Sequence, residues 1–231
     1  GYEGIPAGAK ITAHYDRPVM VRFHNNLPKN HKGWASTSMT THLHNGHTGS
    51  ESDGFTTDFH GPGTYRDHHY PQMLSNGDWR EAMGTLWFHD HMMDFTSSNT
   101  YKGLAGLYTI FDERDSGDEN DTNGKALRLP SGEYDIPLVF SDRQFDKDGA
   151  LFFDAADMNG FVGDRAGVNG ALQPFFKVAR RKYRFRILDT GPARWYGVRL
   201  SDGSNFTLVA TDGNLLEHPI EMNKLLASPA E

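Results

Sequence analysis

Short apolar and β-branched runs, each bounded by turn-forming residues, dominate the pattern of the chain. Such runs lie at residues 11–15, 19–23, 40–44, 84–89, 106–111 and 135–140. Runs of this length, separated by Gly, Pro, Asn and Asp, are typical of strands in a sheet rather than of helices. The pattern therefore predicts an all-β fold built from β-sandwiches.

Turn residues in the second half predict two hairpins. Asp148-Gly149 precedes the run 151–153, and residues 202–204 separate the runs 195–200 and 205–210. The segment 182–187 alternates strictly, so we expect its aromatic and aliphatic side chains to share one face and to pack in the core. These side chains are Tyr183, Phe185 and Ile187.

A change of composition divides the chain. Residues 112–125 are rich in acids and contain no apolar residue, as a linker would. We therefore expect a first domain at 1–112, an acidic connection at 113–130 and a second domain at 131–231. No clear closing strand precedes Glu231, which predicts an incomplete second sandwich that further polypeptide completes.

Two His-x-His pairs lie inside strand-like runs, His42 and His44 in THLHNG and His89 and His91 in LWFHDHMM. In a strand, residues i and i+2 point to the same face about 6.6 Å apart, so Asp90 would point away from its flanking histidines. If the two strands are neighbours, four imidazoles surround one small volume. Imidazole suits copper, zinc, nickel and iron, and a set without carboxylate disfavours magnesium or calcium.

Other metal motifs explain only one of the two pairs. The first pair resembles the zinc motif of metallo-β-lactamase-like hydrolases, but Gly46 stands where that motif has Asp. A cupin would need an acid sooner after His44 than Glu51. An amidohydrolase also begins with a strand-borne His-x-His, and it would leave the second pair unused.

A long polar stretch, residues 45–82, separates the two pairs. A connection of this length in a compact domain is usually functional or flexible. Its histidines are expected to be solvated or to lie behind the metal ligands rather than to bind metal. They are His47, His60, His68 and His69.

Composition excludes several classes of function. The formal net charge of −7 argues against nucleic acid as a partner, because phosphate binding needs a basic face. No run approaches the roughly 20 apolar residues of a transmembrane helix. The chain has no cysteine, so it cannot supply a disulfide or a thiolate ligand.

Several motifs together resemble the multicopper oxidases, in particular spore-coat laccases, bilirubin oxidases and phenoxazinone synthases. Those of the first half are Thr41–Gly46, Ser52–Gly54, Leu86–His91 and Tyr101–Leu107. Those of the second half are Ser141–Arg143, Val168–Gly170 and Arg181–Arg186. The resemblance covers nearly the whole chain and implies tandem cupredoxin-like Greek-key β-sandwiches.

The resemblance also implies a role for each site residue. In this family eight histidines hold a trinuclear copper centre. By position, His42 would bind the type 2 copper, His44 and His89 one type 3 ion, and His91 the other. Asp53 matches an acid that helps to supply protons as dioxygen is reduced to water. An Asp-Gly pair is also an ordinary turn, which is the alternative for Asp53.

The chain departs from the complete enzyme of that family. Without cysteine it cannot form the type 1 copper site, and it offers four of the eight cluster ligands. We therefore expect a partner, either a C-terminal cupredoxin domain of the same protein or a second subunit, and no activity from this chain alone. The resemblance further implies dioxygen, a phenolic, aromatic amine or metal-ion electron donor, and an extracytoplasmic location.

Two other functions stay open at this point. One is a non-catalytic copper-binding or structural module that uses the same histidines. The other is a zinc-dependent hydrolase, for which the sequence shows no nucleophile or base constellation.

Overall fold

A computed structural model of the chain, describing residues 1–31, 33–79 and 82–231, consists mainly of strands and their connections. The first six strands are β1 Ala9–His14, β2 Val19–His24, β3 Thr41–His44, β4 Tyr65–Tyr70, β5 Thr85–Asp90 and β6 Ala105–Phe111. The later ones are β7 Asp135–Phe145, β8 Leu151–Phe152, β9 Arg165–Val168, β10 Ala171–Leu172, β11 Arg184–Asp189, β12 Tyr196–Val198, β13 Phe206–Thr211, β14 Asn214–Met222 and β15 Leu225–Ala227. One α-helix, α1 Thr96–Tyr101, is present among the described residues. The all-β prediction is confirmed.

The part of the chain that the structure describes also contains single 3-10 turns, among them Tyr2–Gly4, Ser50–Ser52, Ser75–Gly77 and Gly132–Tyr134. Within the described part of the chain, every helix is too short or too polar to cross a membrane.

The chain folds into two compact units. The first comprises Gly1–Glu81 and Leu86–Ile110, and the second comprises Ala82–Thr85 and Phe111–Glu231. In the first unit, a four-stranded sheet has the order β1-β6-β5-β3, and β2 pairs with β4. Its core contains large side chains with at most 3% of their surface exposed: Tyr70, Leu86, Phe88, Tyr101, Leu107 and Tyr108.

Strand β4 interrupts the stretch that was predicted to be one long connection. It pairs with β2 over its whole length, from Val19 opposite Tyr70 to His24 opposite Tyr65. The prediction of an unbroken loop over 45–82 is therefore wrong, and its residues 80 and 81 lie outside the described part. This strand has no apolar alternation that the sequence could show, because only His68 and Tyr70 of its six residues are buried.

The pairing of β3 with β5 positions the histidines. The two strands are antiparallel, with His42 opposite His89 and His44 opposite Trp87. The alternate residues Leu43 and Phe88, also a cross-strand pair, are each only 2% exposed and pack in the core. Because side chains alternate along a strand, burial of this pair turns the imidazoles to the opposite face of the sheet.

In the second unit, the main sheet has the order β10-β9-β7-β11, with β8 added to β7. The predicted hairpin at Asp148-Gly149 is confirmed, since Gln144 pairs with Phe152 across it. The other predicted hairpin is wrong. Strand β12 pairs with β15, and β13 pairs with β14, so the turn at residues 202–204 joins strands of different sheets.

On strand β11, an aromatic residue expected in the core is exposed, and the arginines that alternate with it are buried. Phe185 is 44% exposed, whereas Arg184 and Arg186 are 8% and 3% exposed. Arg184 contacts Asp115 with 2.6 Å between Nη1 and Oδ2. Arg186 forms a bidentate pair with Asp135, at 2.8 and 2.7 Å. The expectation that the aromatic face of this strand fills the core is therefore wrong at Phe185.

Candidate metal centre

The rings of His42, His44, His89 and His91 form one contiguous cluster on the face of β3 and β5. The ring centroid of His42 lies 5.8 Å from that of His44, 5.4 Å from that of His89 and 5.0 Å from that of His91. His89 lies 5.5 Å from His44 and 5.6 Å from His91. The fold thus brings together all four predicted metal-binding side chains, and their role as ligands stays a prediction.

Three of the four present nitrogens at ligand spacing. His42, His44 and His89 each place one ring nitrogen within 4.8 Å of the others. Nδ1 of His44 lies 3.3 Å from Nε2 of His89. His91 is adjacent through its ring, and its Nδ1 atom is buried without a hydrogen-bond partner.

Two of the four rings are oriented by a hydrogen bond from Nδ1 to a backbone carbonyl. Nδ1 of His42 donates to the carbonyl oxygen of Asp53 at 2.6 Å, and Nδ1 of His89 donates to that of Asp90 at 2.7 Å. A proton on Nδ1 leaves the lone pair on Nε2, so these contacts select the tautomer that binds metal through Nε2.

The turn after β3 brings Asp53 against His42. Its carboxylate Oδ1 lies 3.1 Å from Nδ1 of His42 and is partly exposed. Gly54 makes this approach possible, because its φ is +72° and an added Cβ would lie 2.2 Å from the carbonyl oxygen of Thr41. Any side chain at Gly54 would collide with the backbone of β3. Asp53 is therefore held by the backbone at the edge of the cluster.

Burial favours the uncharged form of two imidazoles of the cluster. Burial lowers the pKa of His89 to about 3, and the neighbouring imidazoles add to this effect. Burial and the nearby His42 also lower the pKa of His44. Neutral imidazole is the form that binds metal. The residues present therefore fit a borderline transition ion held by nitrogen, with one carboxylate nearby.

Trp87 is a site residue that sequence reasoning missed. Its ring stacks on that of His89 at 4.1 Å and 28° and lies 5.2 Å from that of His44 at 30°. The signal was available, since Trp87 precedes His89 by two residues and must share its face. Two histidines of the long polar stretch are buried rather than solvated: His60 and His68 are 8% and 4% exposed, and Nδ1 of His68 donates to the carbonyl of Ser52. The other expectation for them, a place behind the metal ligands, stays a prediction.

Comparison with known proteins agrees with this geometry. The family model described as multicopper oxidase matches residues 1–115. The chain is 33% identical to the laccase of Bacillus subtilis (strain 168), over all of this chain and 48% of that protein. It is 35% identical to the bilirubin oxidase of Albifimbria verrucaria, over all of this chain and 38% of that protein.

A solved structure shares the fold. The crystal structure of McoA multicopper oxidase from Aquifex aeolicus superposes with a TM-score of 0.79 at 29% identity, covering 96% of this chain and 45% of that one. The chain therefore belongs to the multicopper oxidase family and has its cupredoxin-like fold. It spans about half, or less, of the length of the relatives it matches.

Proposed function

We propose that this chain is the N-terminal portion of a laccase-like multicopper oxidase and contributes four histidines to a trinuclear copper centre. The observation that carries the proposal is the cluster of four imidazoles on β3 and β5, in which three donor nitrogens lie within 4.8 Å of one another. Membership of the multicopper oxidase family supports copper over the other ions that imidazole binds.

The contacts within the cluster support a division of roles. His42 would hold the type 2 copper, its ring oriented by the Asp53 carbonyl. His44 and His89 would share one type 3 ion, in keeping with the 3.3 Å between their nitrogens, and His91 would hold the other. Asp53 would pass protons to the site, because its carboxylate is partly exposed and lies beside His42.

A second part of the protein is needed for turnover. The chain has no cysteine to hold a type 1 copper. We infer that a C-terminal cupredoxin domain, or a second subunit, supplies that copper and the other four histidines. Bound copper would take electrons singly from a phenolic, aromatic amine or metal-ion donor and reduce dioxygen to water. The residues of this chain would hold the ions, fix the ring tautomers and exclude water from the buried side of the cluster.

Oxygen uptake with a phenolic donor tests the proposal. The intact copper-loaded protein should consume dioxygen without releasing peroxide, and residues 1–231 alone should be inactive. Oxidation by the isolated chain would contradict the proposal, since no type 1 copper can form there. Copper binding without oxidase activity in the intact protein would indicate a non-catalytic module. Retention of zinc with hydrolytic turnover would indicate a hydrolase.

A further inference from the structure

The carboxylate of Asp90 lies between two candidate ligands and points to the other side of the sheet. Asp90 is fully buried. Its Oδ1 accepts the backbone N–H of Thr40 at 3.0 Å. Its Oδ2 accepts the backbone N–H of Met92 at 3.1 Å and the side-chain amide of Asn99 at 2.9 Å. One carboxylate thus satisfies three donors from three separate segments.

Asn99 extends this arrangement from α1 to the segment before β3. Asn99 is 1% exposed. Its Oδ1 accepts the N–H of Ser36 at 2.9 Å, and its Nδ2 lies 3.4 Å from the carbonyl of Ser38. The Asp90–Asn99 pair therefore joins the end of β5, helix α1 and residues 36–40 through buried hydrogen bonds. Such bonds are strong in a low dielectric and costly to break.

The placement of His91 depends on this pair rather than on the regular strand. Strand β5 ends at Asp90, so His91 lies just beyond it. The N–H of His91 donates to the carbonyl of Thr40 at 2.9 Å. The carboxylate of Asp90 holds the N–H of the same Thr40 and the N–H of Met92. The Asp90 carboxylate therefore holds the peptide after His91 directly, and it holds the peptide before His91 indirectly, through Thr40.

The same residue also orients His89. The backbone carbonyl of Asp90 accepts Nδ1–H of His89 at 2.7 Å. The three donors to its carboxylate fix the position of the residue that carries this carbonyl. Asp90 is thus linked to both histidines of the second pair, to His89 by its backbone carbonyl and to His91 through the neighbouring N–H groups of Thr40 and Met92.

We propose that the Asp90–Asn99 pair is a positioning device that sets the directions of His89 and His91 toward copper. This inference rests on the proposed function. A residue that merely stabilised the unit would change its unfolding and leave the copper signature of the folded protein unaltered. A positioning pair must change the copper signature itself.

The test measures copper(II) affinity by chelator competition, and the X-ray absorption spectrum at the copper edge, on the intact protein. Asp90→Asn should weaken copper binding about 10- to 100-fold, the range typical when a partner behind a metal ligand is lost, and should alter the copper absorption spectrum. The reason is chemical, because the new amide nitrogen faces a donor in either orientation: the N–H of Thr40 in one, and the N–H of Met92 with the amide of Asn99 in the other.

Two further variants sharpen the test. In the exchange D90N/N99D, the amide at position 90 can donate to a carboxylate at position 99, so copper affinity and spectrum should return part of the way to wild type. Should Asp90→Asn fail to fold, Asn99→Ala removes one donor to Asp90 and should weaken copper binding several-fold in a folded protein. Asp142→Asn is the control, a buried carboxylate of the second unit that accepts the Gly163 N–H.

The outcomes separate the two claims. If wild-type protein binds no copper, the proposed function is overturned, and this inference with it. If wild type binds copper while Asp90→Asn and Asn99→Ala keep its affinity and spectrum, like the Asp142→Asn control, the inference alone is overturned.

Discussion

Asp53 contacts His42 of the candidate metal centre through two chemically different oxygen atoms. Its backbone carbonyl accepts Nδ1–H of His42 at 2.6 Å, and its carboxylate Oδ1 lies 3.1 Å from the same nitrogen. Asp53→Asn keeps the carbonyl and removes the acid. Copper content should therefore stay at the wild-type value while oxygen consumption falls about 100-fold or more, the usual scale for loss of a proton-transferring group.

Copper analysis and oxygen uptake on the intact protein measure both effects. Glu51→Gln is the matched control, since Glu51 is an exposed acid of the same turn and should be dispensable. A loss of copper in Asp53→Asn would make Asp53 a structural residue of the turn. Equal losses of activity in Asp53→Asn and Glu51→Gln would show that Asp53 has no specific role in proton transfer.

Asp189 gives the second unit a pH-dependent stability. Burial raises its pKa to about 7, and Asp142 and Glu231 add to the effect. The unfolded value is about 3.9. Between these values the folded protein keeps a proton that the unfolded chain releases. The free energy of unfolding should therefore fall as pH rises from about 4 to about 7, by up to about 1.4 kcal/mol per pH unit, and then level off.

Asp189→Asn should remove this dependence. The amide keeps an oxygen for the Gly191 N–H and carries no charge. Urea unfolding of both proteins at about pH 5 and about pH 8 is the measurement, and the variant should gain stability relative to wild type at the higher pH. A difference between the two proteins that does not change with pH would contradict the assignment.

At the scale of elements, the shared face of β3 and β5 depends on Trp87 as well as on the histidines. Trp87→Ala should destabilise the first unit by about 3–5 kcal/mol, because it opens a cavity and frees the rings of His44 and His89. Trp87→Phe keeps an aromatic surface and removes an indole N–H that has no partner. It should cost less than about 1.5 kcal/mol.

Chemical unfolding and copper affinity together check this prediction. The Ala variant should also bind copper more weakly, whereas the Phe variant should bind it as wild type does. Equal copper affinities in all three proteins would show that stacking does not orient the imidazoles.

Strand β11 supplies a test of its reversed faces. Arg186→Met leaves Asp135 buried without its bidentate partner and should cost about 3–5 kcal/mol. The double variant R186M/D135L removes both charges and should recover most of that loss. Phe185→Ser, on the exposed face, should change the free energy of unfolding by about 1 kcal/mol or less. A larger loss of unfolding free energy in Phe185→Ser than in Arg186→Met would contradict this prediction and would indicate that the aromatic face of β11 is the buried one.

Local features of the elements were predictable, and distant pairings were not. The alternation of His42 and His44 is a property of a single strand and follows from the sequence alone, whereas His91 lies one residue beyond the strand that carries His89. The burial of Arg186 depends on Asp135, 51 residues away. The prediction of a hairpin at residues 202–204 failed for the same reason, because β12 pairs with β15 rather than with the next strand, β13.

At the scale of the whole molecule, we propose that the chain holds one side of a site that a further part of the protein completes. Four imidazoles converge in the first unit, and the relatives extend to about twice the length of this chain or more. We propose that the chain consists of the two domains predicted from composition, 1–112 and 131–231, and that the first of them carries the histidine cluster. Copper binding by the intact protein should then require both this chain and the partner that supplies the other four histidines.

Anomalous X-ray scattering at the copper edge, from crystals of the intact copper-loaded protein, would show directly whether the four histidines bind copper. We expect copper peaks about 2 Å from ring nitrogens of His42, His44, His89 and His91, the usual length of a bond from imidazole to such an ion. Copper peaks elsewhere, with these four rings free of metal, would contradict it.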